Sequence, residues 1–208
     1  MIPNVFGLLG NNIYRESPSV STSVSLEAQK ALIKIGKPAV KPLINALNND
    51  DYNIRQVSSL ILLKMGELAV KPLISLLNYD NEHNSELAEM ILINMLEISE
   101  PYLISALSNP APLLRSQTAK ILGKNSVKKP YLYFYYDFVS AGFFYEKHGL
   151  KRNVSTIIKS LIDSLNDENK IVRISAQNSL KLITKENFGM DYIKWRKWFD
   201  QNIKQFSI

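Results

Sequence analysis

The chain has no cysteine, only two histidines and only eight glycines. The missing cysteines exclude disulfides, thiolate metal sites and cysteine nucleophiles together. Aliphatic runs stop at four residues, Leu60–Leu63 and Met90–Ile93. A membrane-spanning helix needs roughly 20 apolar residues, so no span is expected. The opening Met-Ile-Pro-Asn-Val-Phe-Gly lacks the charged head and apolar stretch of a signal peptide, and a cytoplasmic location is expected. No Gly-x-Ser-x-Gly elbow and no glycine-rich phosphate loop occurs. His83 and His148 lie far apart, without a second histidine near either. Neither a metal site nor a cofactor is expected from them.

Apolar residues make up 46 % of the 208, which is enough to build a globular core. The net charge of +6 is unevenly spread. Glu67 to Glu97 holds six acids and one lysine, and Lys124 to Lys159 holds seven bases and two acids. Such separation concerns long-range fields and partners rather than fold.

A repeat organises the chain. Pro42-Leu-Ile-Asn-Ala-Leu47, Pro72-Leu-Ile-Ser-Leu-Leu77 and Tyr102-Leu-Ile-Ser-Ala-Leu107 succeed one another at an offset of 30. Ser160-Leu-Ile-Asp-Ser-Leu165 follows 58 residues after the third. Asn53-Ile-Arg55, Leu113-Leu-Arg115 and Ile171-Val-Arg173 each begin a second apolar run. Val40, Leu43, Ile44 and Leu47 make one helical stripe, and Val57, Leu60, Ile61 and Met65 make another. Each repeat is therefore two amphipathic helices joined by a polar turn such as Asn48–Asp51. Proline in the first turn of the first helix is favourable, because its missing N–H would be unpaired there. Gly36, Gly66 and Gly123 are expected just after the second helices, as left-handed caps. One helix pair cannot bury its apolar face alone, whereas stacked pairs can.

The pattern Ile-Gly-x-Pro-Ala-Val-x-Pro-Leu-Ile-x-Ala-Leu, then an acid, then Ile/Val-Arg, resembles the HEAT-like repeats first named from phycobilin lyases. The stretch Thr184 to Trp198 is similar to the end segment of many bacterial members of that family. The resemblance implies an all-α, right-handed α-solenoid of five to six two-helix repeats with a C-terminal closing helix. It implies fold far more than activity, because the family holds scaffolds, lyase subunits and binders. One domain over 1–208 is expected: a degenerate opening repeat, 1–36, with a polar loop at 17–24; repeats at 37–66, 67–97 and 98–123; a divergent aromatic and basic repeat at 124–152; a repeat at 153–184; and a closing helix within 185–208.

Arg55, Arg115 and Arg173 recur at one phase, each beside a polar turn. They are expected to form a structural ladder to carboxylates or carbonyls of neighbouring turns, since a guanidinium suits bidentate contacts there. The divergent repeat packs nine of the chain's 20 aromatics between Tyr131 and Tyr145. Tyr133, Tyr135 and Tyr136 cannot share one side of a helix, so some are expected to meet a partner, with Lys128, Lys129 and Lys147 beside them. Gln56, Glu86 and Ser116 occupy equivalent positions on the concave row of second helices, and Glu86 and Glu89 share a helix face.

The function expected is a non-catalytic protein-interaction scaffold or adaptor using that row and the divergent repeat. The alternative is nucleic-acid binding through the basic aromatic repeat, with stacking tyrosines and lysines on phosphate. The third is a subunit of a lyase or other enzyme, as the resemblance implies. Opposite charge patches also allow head-to-tail self-association.

Overall fold

In a computed structural model, residues 21–78, 82–127 and 154–203 are described. The regular elements among these residues are all helices, with no strand. The chain divides into two compact units, Met1–Met95 and Leu96–Ile208.

The N-terminal unit holds α1 (Ser21–Ile35), α2 (Lys37–Ala46), α3 (Tyr52–Met65), α4 (Glu67–Leu76) and α5 (Glu82–Asn94). Pairing follows the apolar stripes. α2 packs on α3, and α4 packs on α5. The pairs also stack, with α1, α3 and α5 in one row and α2 against α4 in the other. Leu43 and Leu47 from the first stripe and Val57 and Ile61 from the second are almost wholly buried, with Leu32, Leu62, Leu73, Leu77, Ile91 and Leu92. Each such side chain contributes about 2 kcal/mol when removed from water.

Gly36 and Gly66 join the second helix of one pair to the first helix of the next. Both have positive φ, 70° and 57°, with ψ near −130° (−136° and −127°), a conformation that glycine adopts at little cost. Their carbonyls take the first bonds of the next helix, from Ala39 and Ala69. Pro38 lies in the opening turn of α2, where a proline is favourable, whereas Pro42, Pro72 and Pro101 lie inside their helices.

The C-terminal unit holds α6 (Leu96–Ala106), α7 (Pro112–Val127), α8 (Val154–Asp163), α9 (Lys170–Thr184) and α10 (Tyr192–Asn202). A 3₁₀ turn, Ser164–Asn166, links α8 to α9. α6 packs on α7, α8 on α9, and α10 on α8. The most extensive contact is between α7 and α9, which lie directly side by side. Ser116 faces Ser175, and Ala119 and Gly123 face Ser179, so the two helices run in the same direction. No helix pair separates them. The aromatic and basic repeat expected between them, 124–152, falls mostly outside the described residues.

Gly123 is not a cap. It lies inside α7, buried at this seam. A Cβ there would run into the Ser179 side chain and come within 2.9 Å of its Cα. The glycine is needed for close approach of two helices, not for a left-handed turn.

α10 closes the C-terminal unit. Asp191 caps it, its Oδ1 accepting from the Lys194 N–H at 3.0 Å. Trp195 is fully buried and Phe199 nearly so, while Lys194 and Lys197 face water. The indole Nε1 of Trp195 donates to the Gly189 carbonyl at 2.8 Å, and Phe188 meets the ring edge-on at 4.9 Å.

Candidate functional site

Three turns share one construction. Asn49, Asn109 and Asp167 each accept, through Oδ1, the N–H two residues on: Asp51 at 2.9 Å, Ala111 at 2.9 Å and Asn169 at 2.8 Å. Such side-chain turns hold the backbone ready for a helix start. Asp51 and Asn169 then cap α3 and α9, accepting from Asn53 and Ile171.

One turn into each helix an arginine folds back onto that turn. Arg55 Nη1 donates to the Asn49 and Asp50 carbonyls at 2.7 and 2.9 Å. Arg115 Nη1 donates to those of Asn109 and Pro110 at 2.8 and 3.0 Å. Arg173 Nη1 donates to those of Asp167 and Glu168 at 2.7 and 2.9 Å. The carbonyl bonds therefore stay within each arginine's own turn instead of crossing to a neighbour, as the sequence suggested.

The crossing bond is made once among the described residues. Arg115 Nε donates to Asp167 Oδ2 at 2.7 Å, and Nη2 donates to Oδ1 at 2.8 Å. Both side chains are largely buried, at 8 % and 11 % exposure. Burial alone would raise the Asp167 pKa. The Arg115 guanidinium and the Asn169 N–H outweigh it and hold the carboxyl below its ordinary range. The Asp167 bond raises Arg115 in turn. Both groups are thus charged throughout the neutral range, which suits a structural tie and not proton transfer.

The candidate contact residues fall in different places. Gln56 is half-buried on α3, Glu86 is exposed and Glu89 half-buried on α5, and α3 and α5 are packed neighbours. Those three are brought together on the second-helix row of the N-terminal unit. Ser116 is not on an open face. It is fully buried, its hydroxyl 2.9 Å from that of Ser175. A serine at this seam position is covered, whereas a glutamine or glutamate there is long enough to reach water. Tyr133, Tyr135, Tyr136, Lys128, Lys129, Lys147 and His148 lie outside the described residues. Among the described residues no group of three metal-ligating side chains converges, and no helix is long and apolar enough to cross a membrane.

Sequence reasoning missed two things. One is the shared spacing, an Asn or Asp six positions before each arginine: the sequence sets the Asn109 turn and Asp167 beside their arginines but points to Asp51, not Asn49, beside Arg55. The other is the small-residue series Ser116, Ala119, Gly123, at helical spacing, which marks the α7–α9 seam.

The described residues define an all-helical protein of paired helices with clamped turns. No protein-family model matches the chain, and no curated protein does.

Proposed function

We propose that the chain is a non-catalytic protein-interaction scaffold, a right-handed α-solenoid of HEAT-like helix pairs whose second helices carry the recognition surface. The observation that carries this reading is the arginine clamp, repeated at three turns with the same donor atom and the same pair of acceptors. The clamp fixes the starts of α3, α7 and α9, while the residues displayed one position after the arginine phase vary, from Gln56 on α3 to Glu86 on α5, where Ser85 stands in place of the arginine. A fixed frame with variable side chains is what a binding surface requires.

The test is an affinity capture with the triple variant Gln56→Ala, Glu86→Lys, Glu89→Lys, followed by cross-linking of the captured protein. Circular dichroism should keep the parent's helical signal, since Glu86 is exposed and Gln56 half-buried; the double variant Gln56→Ala, Glu86→Lys, which keeps the interaction Glu89 makes within the fold, serves if the triple variant melts early. The captured partner should be lost, and its cross-links in the parent should map to α3 and α5. Undiminished capture by the variant rejects this surface.

A second reading, nucleic-acid binding by the basic aromatic repeat, is favoured by Lys120 and Lys181, both exposed and each one or two residues from the Ala119–Ser179 contact of α7 with α9. Oligonucleotide anisotropy at about 50 and about 200 mM salt tests it, because phosphate contacts weaken steeply over that range. Absence of binding at the lower salt rejects it.

A further inference from the structure

Arg115 and Arg173 are the same device in two states of occupancy. Both pin Nη1 to two carbonyls of their own turn. In Arg115 the opposite edge, Nε and Nη2, grips the carboxylate of the following turn. In Arg173 that edge makes no hydrogen bond among the described residues. The Glu168 carboxylate does not fill it: it leans toward Arg115 Nη2, at 3.5 Å.

We propose that the Nε–Nη2 edge of Arg173 is a carboxylate-binding site that takes an aspartate side chain from an acidic turn of a partner polypeptide. The receptor is preorganised. Arg173 is half-buried and its guanidinium is fixed on the far side by two bonds, so little rotamer freedom is lost on binding. The fork geometry selects a planar carboxylate over a point anion. Lys170 and Lys181, exposed on the same helix, add attraction for an acidic segment. Ile174 is 38 % exposed, where its counterpart Ser116 is covered by α9, so an apolar contact beside the carboxylate is also open.

The same residues limit what the partner can be. α7 meets α9 through Ser116, Ala119 and Gly123, whereas the corresponding positions on α9 are Ile174, Gln177 and Lys181. A helix cannot approach α9 there as closely as α9 approaches α7. The site therefore fits a turn or short segment better than a second copy stacked in the same register.

The inference relies on the scaffold reading only in taking a polypeptide as partner, and it does not involve the α3–α5 face. Its test uses the full chain with isotope-labelled arginine side chains, followed by nuclear magnetic resonance of the Nε–H groups. The probe is a capped peptide of the chain's own 165–169 sequence, Leu-Asn-Asp-Glu-Asn, which contains the carboxylate that Arg115 grips. The control peptide carries amides in place of both acids. Arg173→Lys assigns the signal; should that variant unfold, the backbone N–H of Ile174 in the parent reports the same event.

A saturable shift at Arg173 is expected with an apparent Kd of about 1 mM, the scale of one bidentate contact. Arg115 should not move, and the control peptide should bind at least about tenfold more weakly. No saturable shift up to about 10 mM peptide overturns the proposal. So does an equal shift with the control peptide or with chloride. Loss of capture at the α3–α5 face would leave this result untouched, so the two readings fail separately.

Discussion

Arg115 and Asp167 meet edge to edge across 52 positions of chain, Nε to Oδ2 at 2.7 Å and Nη2 to Oδ1 at 2.8 Å. The same guanidinium holds two carbonyls of its own turn, and the same carboxylate holds the Asn169 N–H. One pair thus fastens the turn before α7 to the turn before α9. Removing one member strands the other where water has little access, which costs about 3 kcal/mol for a buried pair. Asp167→Ala should lower the urea midpoint by that equivalent. Asp167→Asn should cost less, because an amide oxygen can still accept from Asn169. Equal midpoints for parent and Asp167→Ala would show that the tie contributes nothing.

The pair also sets an acid dependence. Asp167 titrates below its ordinary value of 3.8 in the folded chain. Its stabilisation is therefore complete above that ordinary value and is lost as pH falls through the lower folded value. The midpoint difference between parent and Asp167→Asn should be flat from about pH 8 to about pH 5 and shrink below about pH 4. Asp191 is also held below its ordinary value, chiefly by the Lys194 N–H, but it is present in both proteins and cancels. A difference that instead grew on acidification would give the pair the wrong sign.

How far the sequence reveals this protein depends on range. The stripes of α2 and α3 were legible because helix period and turn chemistry are local. The alternation of bulky apolar residues with lysines marks Trp195, Trp198 and Phe199 as cover for a core end; Trp195 and Phe199 are buried there, whereas Trp198 is only half-buried. Gly123 was misread because a glycine near a helix end looks the same whether it caps or packs. Only the position of Ser179, 56 residues on, decides between the two. The partner of Arg115 was hidden for the same reason. Periodicity gives the phase of an arginine, but which turn it faces depends on how pairs stack. Glu86 is exposed and Ser116 is covered at the same repeat position, because what packs against the helix, α9 in the case of Ser116, determines what reaches water.

Gly123 offers a sharp test of the seam. An alanine methyl at 123 collides with Ser179, whose hydroxyl is already bonded to the Ala119 carbonyl at 2.8 Å. Gly123→Ala should destabilise by about 2 kcal/mol, the range for overpacking a tight contact. The gain in helix propensity, about 1 kcal/mol, works against that cost. Ser179→Gly in the same chain opens the space and should recover part of the loss. A double-mutant cycle in urea would show that coupling, and strict additivity would mean the two residues do not touch.

The closing helix rests on an indole and a carbonyl. Trp195 is fully buried, and its Nε1 holds the Gly189 carbonyl at 2.8 Å while Phe188 packs against its edge. Gly189 has φ of 59°, with open space where a Cβ would lie. Gly189→Ala should therefore cost only the backbone penalty, about 1 kcal/mol. Trp195→Phe removes the donor and much of the ring, costing about 3 kcal/mol through lost packing and an unpaired carbonyl. The two changes act on one loop, so their costs should not add. Emission gives an independent check, because Trp198 is only half-buried. Trp195→Phe should leave a red-shifted tryptophan spectrum, and Trp198→Phe a blue-shifted one. The reverse order would mean that Trp198, not Trp195, is the indole that closes the core.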